Sequence, residues 1–99
     1  MADLKESAEK FFEALIKQDM GVLMGSFTPA GMSKAMSMGQ QGPPGTPTST
    51  EVKIGEAAGE DHPVDFIAET DQGQAIIGTI WHDVSGAWKV NDIEIKKMP

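Results

Sequence analysis

The fold of this chain is decided by residues 74–95, which read QAIIGTIWHDVSGAWKVNDIEI. Two β-rich segments flank a Val84-Ser85-Gly86 turn, and each segment carries one of the two tryptophans. Runs of β-branched and aromatic residues on both sides of a short turn are typical of a β-hairpin. Because a helical N-terminal half precedes this hairpin, we predict helices packed on an antiparallel sheet.

The N-terminal half predicts three helices within residues 3–38. Asp3 is the expected N-cap of the first helix, with Glu6 as its capping-box partner. The apolar residues that follow share one face of this helix: Leu4, Ala8, Phe11, Phe12, Leu15 and Ile16. A short second helix is expected at residues 20–26, and Thr28-Pro29 is a good start for the third.

The C-terminal half predicts four strands within residues 51–97, after a Gly- and Pro-rich connector at residues 39–50. In the last strand, Trp88 and Val90 alternate out of phase with Ile93 and Ile95. A β-bulge at Asn91-Asp92 would bring these four side chains to one face and curl the sheet. We therefore predict a single α+β domain over residues 1–99, with helices packed on a curled four-stranded antiparallel sheet.

Composition restricts the possible functions. The chain has 99 residues, a formal net charge of −7 and no cysteine, which excludes disulfides and thiolate metal sites. Its acidity and its lack of arginine disfavour nucleic acid as a partner. No apolar run reaches about 18 residues, and the N-terminus is charged where a signal peptide is apolar. We expect a cytoplasmic protein that does not contact a membrane.

Three segments carry a resemblance to a known superfamily. They are the AEKFFEAL run at residues 8–15 with Asp19, then Phe27-Thr28-Pro29, then the Gly86-Ala87-Trp88-Lys89-Val90 hairpin. The chain resembles the nuclear transport factor 2-like (SnoaL-like, cystatin-like α+β) superfamily. That resemblance implies a cone-like fold with an apolar pocket between helix and sheet, often in a dimer. Members commonly carry a strand between the second and third helices, and no candidate for it follows Phe27, so the chain resembles a short variant.

The expected function is a non-catalytic binding or accessory domain, with no cofactor and no metal. A small apolar ligand would lie between the first helix and the sheet, against Phe12, Leu15, Phe66, Ile80 and Trp88. Apolar residues on both faces of the third strand favour a homodimer, in which Ile77, Thr79 and Trp81 would contact the partner. A purely structural interaction domain without a ligand is a third possibility.

The alternative function is a small lyase or isomerase of the SnoaL-like kind. His82 with Asp92 or Asp83 would form its proton-transfer pair. Strand alternation places Asp83 on the opposite face from His82, which favours a structural role for both residues. Related catalytic sites need a tyrosine or an arginine, and the chain has neither. His62 with Glu60 and Asp61 is an unfavourable metal site, because adjacent residues rarely converge on one ion.

Overall fold

The computed structural model describes residues 3–17, 19–38 and 47–97. It contains three helices: α1 (Leu4–Lys17), α2 (Met20–Gly25) and α3 (Pro29–Met38). Four strands follow: β1 (Ser49–Ile54), β2 (His62–Thr70), β3 (Gly73–Val84) and β4 (Ala87–Lys97). The α+β class is therefore confirmed. The sheet begins at Ser49, inside the expected connector, and residues 39–46 of that connector lie outside the described residues.

The four strands form one open antiparallel sheet in the order β1-β2-β3-β4. Two-residue turns join its last three strands, since Thr70 pairs with Gly73 and Val84 pairs with Ala87. In the second turn Ser85 and Gly86 both have positive φ, at 53° and 88°. This geometry matches the right-handed twist of the flanking strands. Each strand therefore pairs with its neighbour in sequence, and no crossover is needed.

Helix α1 covers one face of the sheet, which we call the inner face. Asp3 caps the helix, since its Oδ1 accepts a hydrogen bond from the Glu6 amide at 2.7 Å. The apolar side of α1 buries Phe11 and Phe12 completely. Phe11 meets the indole of Trp81 edge-on, with ring centroids 5.5 Å apart. Burying two aromatic rings against the sheet supplies much of the apolar area of this small core.

A β-bulge bends β4, as the sequence predicts. Ile80 pairs with Asp92 and Trp81 pairs with Val90, so Asn91 has no partner across the ladder. The extra residue corrects the alternation, because Val90 and Ile93 both become buried on the inner face. The bulge thus keeps one wall of the core apolar along the strand.

The segment between α2 and α3 protects the free edge of β4. Phe27 forms a single parallel bridge with Val90. The Val90 amide donates to the Ser26 carbonyl at 2.7 Å, and the Thr28 amide donates to the Val90 carbonyl at 2.9 Å. No strand was expected after Phe27, and this one-residue bridge is all that the structure forms there. It pairs the amide and the carbonyl of Val90 at an edge where unpaired groups could bind another chain.

Along the described ranges, no helix combines the length and apolar character that crossing a membrane requires. The longest helix, α1, spans 14 residues and alternates charged with apolar side chains. About 20 apolar residues are needed for a helix to span a bilayer.

Candidate functional site: a groove between α1 and β1

A groove of about 520 Å³ lies between α1 and the inner face of the edge strand β1. It forms because α1 packs over the middle of the sheet and leaves part of the inner face of β1 uncovered. Its apolar floor consists of Phe12, Ile16, Val52 and Phe66. Its polar rim consists of Lys5, Glu9, Glu13, Lys17, Thr50 and Glu51. The groove is partly open to solvent.

Two stacked phenyl rings form the base of the groove. Phe12 of α1 and Phe66 of β2 lie nearly parallel, with centroids 4.2 Å apart and planes 10° apart. Val52 is the cross-strand partner of Phe66, and its side chain is half-buried. Ile16, one turn along α1 from Phe12, keeps 37% of its surface exposed. A ligand in the groove would therefore contact Ile16 and Val52 above a rigid aromatic base.

The rim side chains on α1 are two acids and two bases. Glu9 and Glu13 stand there beside Lys5 and Lys17, whereas Glu51 borders the groove from β1 and strand alternation places its side chain on the sheet face opposite α1. Lys17 donates to Glu13 Oε1 at 2.6 Å, and this hydrogen bond, with the attraction between the two charges, lowers the pKa of Glu13. The same contacts raise the pKa of Lys17. Because Lys17 is engaged by Glu13, the rim offers no free cluster of cations to hold an anionic ligand, and the net charge of −7 on the whole chain disfavours one.

Two of the five expected pocket residues, Phe12 and Phe66, line the groove. The other three lie elsewhere. Leu15 packs against the buried core. Trp88 meets the His62 ring edge-on at a centroid distance of 4.8 Å. Ile80 pairs with Pro63 and Asp92 on the outer face, which we define as the sheet face opposite α1.

The residues expected at a dimer interface lie in the core. Ile77, Thr79 and Trp81 are 4%, 2% and 1% exposed, on the inner face beneath α1. Thr79 Oγ1 donates to the Val64 carbonyl at 2.7 Å and accepts the indole Nε1–H of Trp81 at 2.8 Å. Burial by α1 corrects the expectation, because none of these three side chains is free to meet a partner. The face of β3 that was expected to meet a partner is thus the face that α1 covers.

A signal for the correct assignment was present in the turn between β2 and β3. A two-residue turn at residues 71–72 places Phe66 opposite Ile77. Side chains directly opposite in an antiparallel pair share a face. Since Phe66 was expected to face the helix, Ile77 had to face it too. The sequence of residues 71–73, Asp-Gln-Gly, is also compatible with a three-residue turn, which would place Ile77 on the other face.

The residues of the expected catalytic pair are separated. His82 Nε2 lies 2.6 Å from Asp61 Oδ1, so its acidic partner is a turn residue and neither Asp83 nor Asp92. Asp83 Oδ1 accepts the Gly86 amide at 2.9 Å and so stabilises the hairpin turn. His82 projects from the outer face and does not line the groove. Its contact with Asp61 anchors the β1–β2 loop to β3.

Asp92 also has a structural role. Its Oδ1 accepts the Ile93 amide at 2.9 Å and receives Lys34 Nζ of α3 at 3.1 Å. The carboxylate therefore tethers α3 beside the bulge. Within residues 3–17, 19–38 and 47–97, no group of three or more His, Cys, Asp or Glu residues is placed to hold a metal ion.

The groove thus combines an apolar surface with a polar rim. The lining side chains offer no histidine for proton transfer. They are suited to contact and burial, which is what a binding site requires. No protein-family model, curated protein or solved structure matches this chain, so its function has to be inferred from this geometry.

Proposed function

We propose that this chain is a small non-catalytic binding or accessory domain that holds an apolar ligand in the α1–β1 groove. The observation that carries the proposal is the pair of partly exposed apolar side chains Ile16 and Val52, which line the groove together with the buried, stacked rings of Phe12 and Phe66. Covering such a strip with an apolar molecule stabilises the complex by about 25 cal/mol for each Å² removed from water. The groove volume of about 520 Å³ lies in the range of small-molecule sites.

The charge around the groove selects among apolar ligands. The rim side chains of α1 are two acids, Glu9 and Glu13, and two bases, Lys5 and Lys17, and the whole chain carries −7. A neutral or cationic molecule would meet favourable or weak electrostatics there, whereas a carboxylate would be repelled. We therefore propose a neutral or cationic apolar ligand.

Membership of the nuclear transport factor 2-like superfamily is part of the proposal. It is supported by the helices on an antiparallel sheet and by the β4 bulge, which matches a sheet that curls toward α1. The lyase or isomerase alternative has less support. It requires His82 and an acid in one pocket, and the His82–Asp61 pair lies on the outer face, away from the groove.

The experiment is a titration with Nile red, a neutral apolar dye, followed by competition with dodecylamine and with dodecanoate. We expect dye binding, and displacement at lower concentration by the amine than by the carboxylate. Ile16→Lys should weaken dye binding at least tenfold, because it places a charge over the apolar floor. A lysine near the C-terminus of α1 is compatible with the helix dipole.

Val22→Lys is the matched control. Val22 is also a helical residue, is 43% exposed and does not line the groove, so this variant should bind the dye like the wild type. Equal dye affinity of Ile16→Lys and wild type would contradict the proposed site. Preference for dodecanoate over dodecylamine would contradict the proposed ligand class.

A further inference from the structure

β1 is an edge strand of the sheet, and one of its two edges is open. No described residue pairs with β1 on the side away from β2. The Gly55 amide donates to the Pro63 carbonyl at 2.9 Å, so the pair of residues 55 and 63 is hydrogen-bonded across the ladder. Hydrogen-bonded pairs alternate in an antiparallel ladder, and the peptide groups of Glu51 and Lys53 therefore point toward β2. The peptide groups of Thr50, Val52 and Ile54 point away from β2, where they can form hydrogen bonds with another strand.

The charges on this edge are arranged to accept a second copy of β1. Glu51 and Lys53 lie two residues apart on the outer face of the strand. In an antiparallel pairing of two β1 strands centred on Val52, Glu51 of each copy lies opposite Lys53 of the other. Those two positions are non-hydrogen-bonded pairs, in which side chains approach most closely. Two opposite-charge contacts would thus form at once.

The neighbouring registers are disfavoured by the same charges. A pairing centred on Glu51 would place the Glu51 carboxylates of the two copies opposite each other. A pairing centred on Lys53 would place the two Lys53 ammonium groups opposite each other. Like charges directly opposite each other destabilise a strand pair. The sequence of β1 therefore favours one register. Charged residues on an edge usually prevent pairing, but here their alternation is self-complementary.

We propose that two copies of this chain associate through β1, centred on Val52, to form a continuous eight-stranded antiparallel sheet. The two-fold axis would run perpendicular to the sheet, so that both α1 helices lie on the same face. Ile54, which is 46% exposed, would then lie opposite Thr50 of the second copy. The interface is distinct from the β3 face expected from sequence, and it does not depend on a ligand in the groove.

Oligomeric state is measured on the full chain by native mass spectrometry and by light scattering across a concentration series. The wild type should show a species of twice the 10.6 kDa chain mass. Glu51→Lys replaces two attractive contacts with two Lys–Lys contacts. It should weaken association roughly tenfold or more, equivalent to about 1.4 kcal/mol. Lys53→Glu should do the same through two Glu–Glu contacts.

Restoring the opposite-charge contacts is the decisive part of this experiment. The double variant Glu51→Lys/Lys53→Glu should recover the dimer, and mixing the two single variants should yield a heterodimer. Lys97→Glu makes the same change of net charge as Lys53→Glu, but on the other edge strand, and it should leave the dimer intact. Circular dichroism of each variant checks that the fold persists.

A wild type that remains monomeric at its highest soluble concentration would overturn the proposal. So would a dimer that Glu51→Lys leaves unchanged, or a folded double variant that stays monomeric. Because the readout is mass, these outcomes are independent of dye binding in the groove.

Discussion

Replacing Gly31 with alanine tests how α3 is held against the sheet. In an exposed helix this change is stabilising by about 1 kcal/mol, because alanine has the higher helix propensity. At Gly31 the added methyl group would lie well inside van der Waals contact of the Val90 carbonyl oxygen, 2.9 Å from the Val90 carbonyl carbon and 3.2 Å from Phe27 Cδ1. Backbone atoms cannot move aside as a flexible side chain can, so α3 has to shift away from β4.

The expected penalty follows from the contacts that this shift disturbs. Overpacking of a tight site costs about 1–3 kcal/mol. Two backbone hydrogen bonds at the same place, from Val90 to Ser26 and from Thr28 to Val90, contribute about 0.5–1.5 kcal/mol each. Allowing for the gain in helix propensity, we expect Gly31→Ala to lower the free energy of unfolding by about 2–3 kcal/mol. For a domain of this size the melting temperature should fall by roughly 10–20 °C.

The assay is urea denaturation followed by circular dichroism, with thermal melting as a second measurement. Gly25→Ala is the matched control, because no atom lies within 4 Å of the position that its methyl group would occupy. It should leave stability unchanged or raise it by up to about 1 kcal/mol. If Gly31→Ala is as stable as wild type or more stable, the close approach of α3 to Val90 does not exist, and the account of the β4 edge fails.

Two further predictions concern the core and the groove rim. Thr79→Val should destabilise the fold by about 2–3 kcal/mol in urea denaturation, because the indole N–H of Trp81 and the Val64 carbonyl lose their buried partner. Thr79→Ser keeps the hydroxyl and should lose less stability. Equal losses of stability in the two variants would contradict the role of this hydroxyl. The pKa of Glu13 is lowered from its usual 4.5 by the hydrogen bond and charge of Lys17. The pair therefore stabilises the folded state above pH 4.5, and this contribution disappears as the pH falls through the lowered pKa of the folded state. Glu13→Gln should remove this part of the acid dependence in denaturation curves measured at successive pH values, and an unchanged pH profile would show that the pair does not form.

The elements that depend on local signals could be predicted from the sequence. The Asp3 cap and the apolar face of α1 are readable because both are encoded within a few residues. The bulge at Asn91 was predicted from a break in alternation, and the structure confirms it. These features needed no knowledge of what packs against them.

The candidate site was harder, because it depends on which face of the sheet the helix covers. Alternation in β3 shows that Ile77 and Trp81 share a face, but both faces of that strand are apolar. Only the register of the β2–β3 turn decides between them, and a difference of one turn residue reverses the result. The pairing of His82 with Asp61 depends on the path of a loop, which local pattern does not encode.

The bridge between Phe27 and Val90 has a consequence for the order of folding. Every strand of the sheet pairs with its neighbour along the chain, so the meander can assemble by closing short loops. The contact of Thr28 with Val90 instead joins residues 62 positions apart, and closing so long a loop carries a larger entropy loss. The hairpins should therefore form early, and the docking of α3 on β4 should be among the last steps. A protein that pauses before that step would leave the backbone of Val90 unpaired at the edge of β4, where another chain could pair with it during folding.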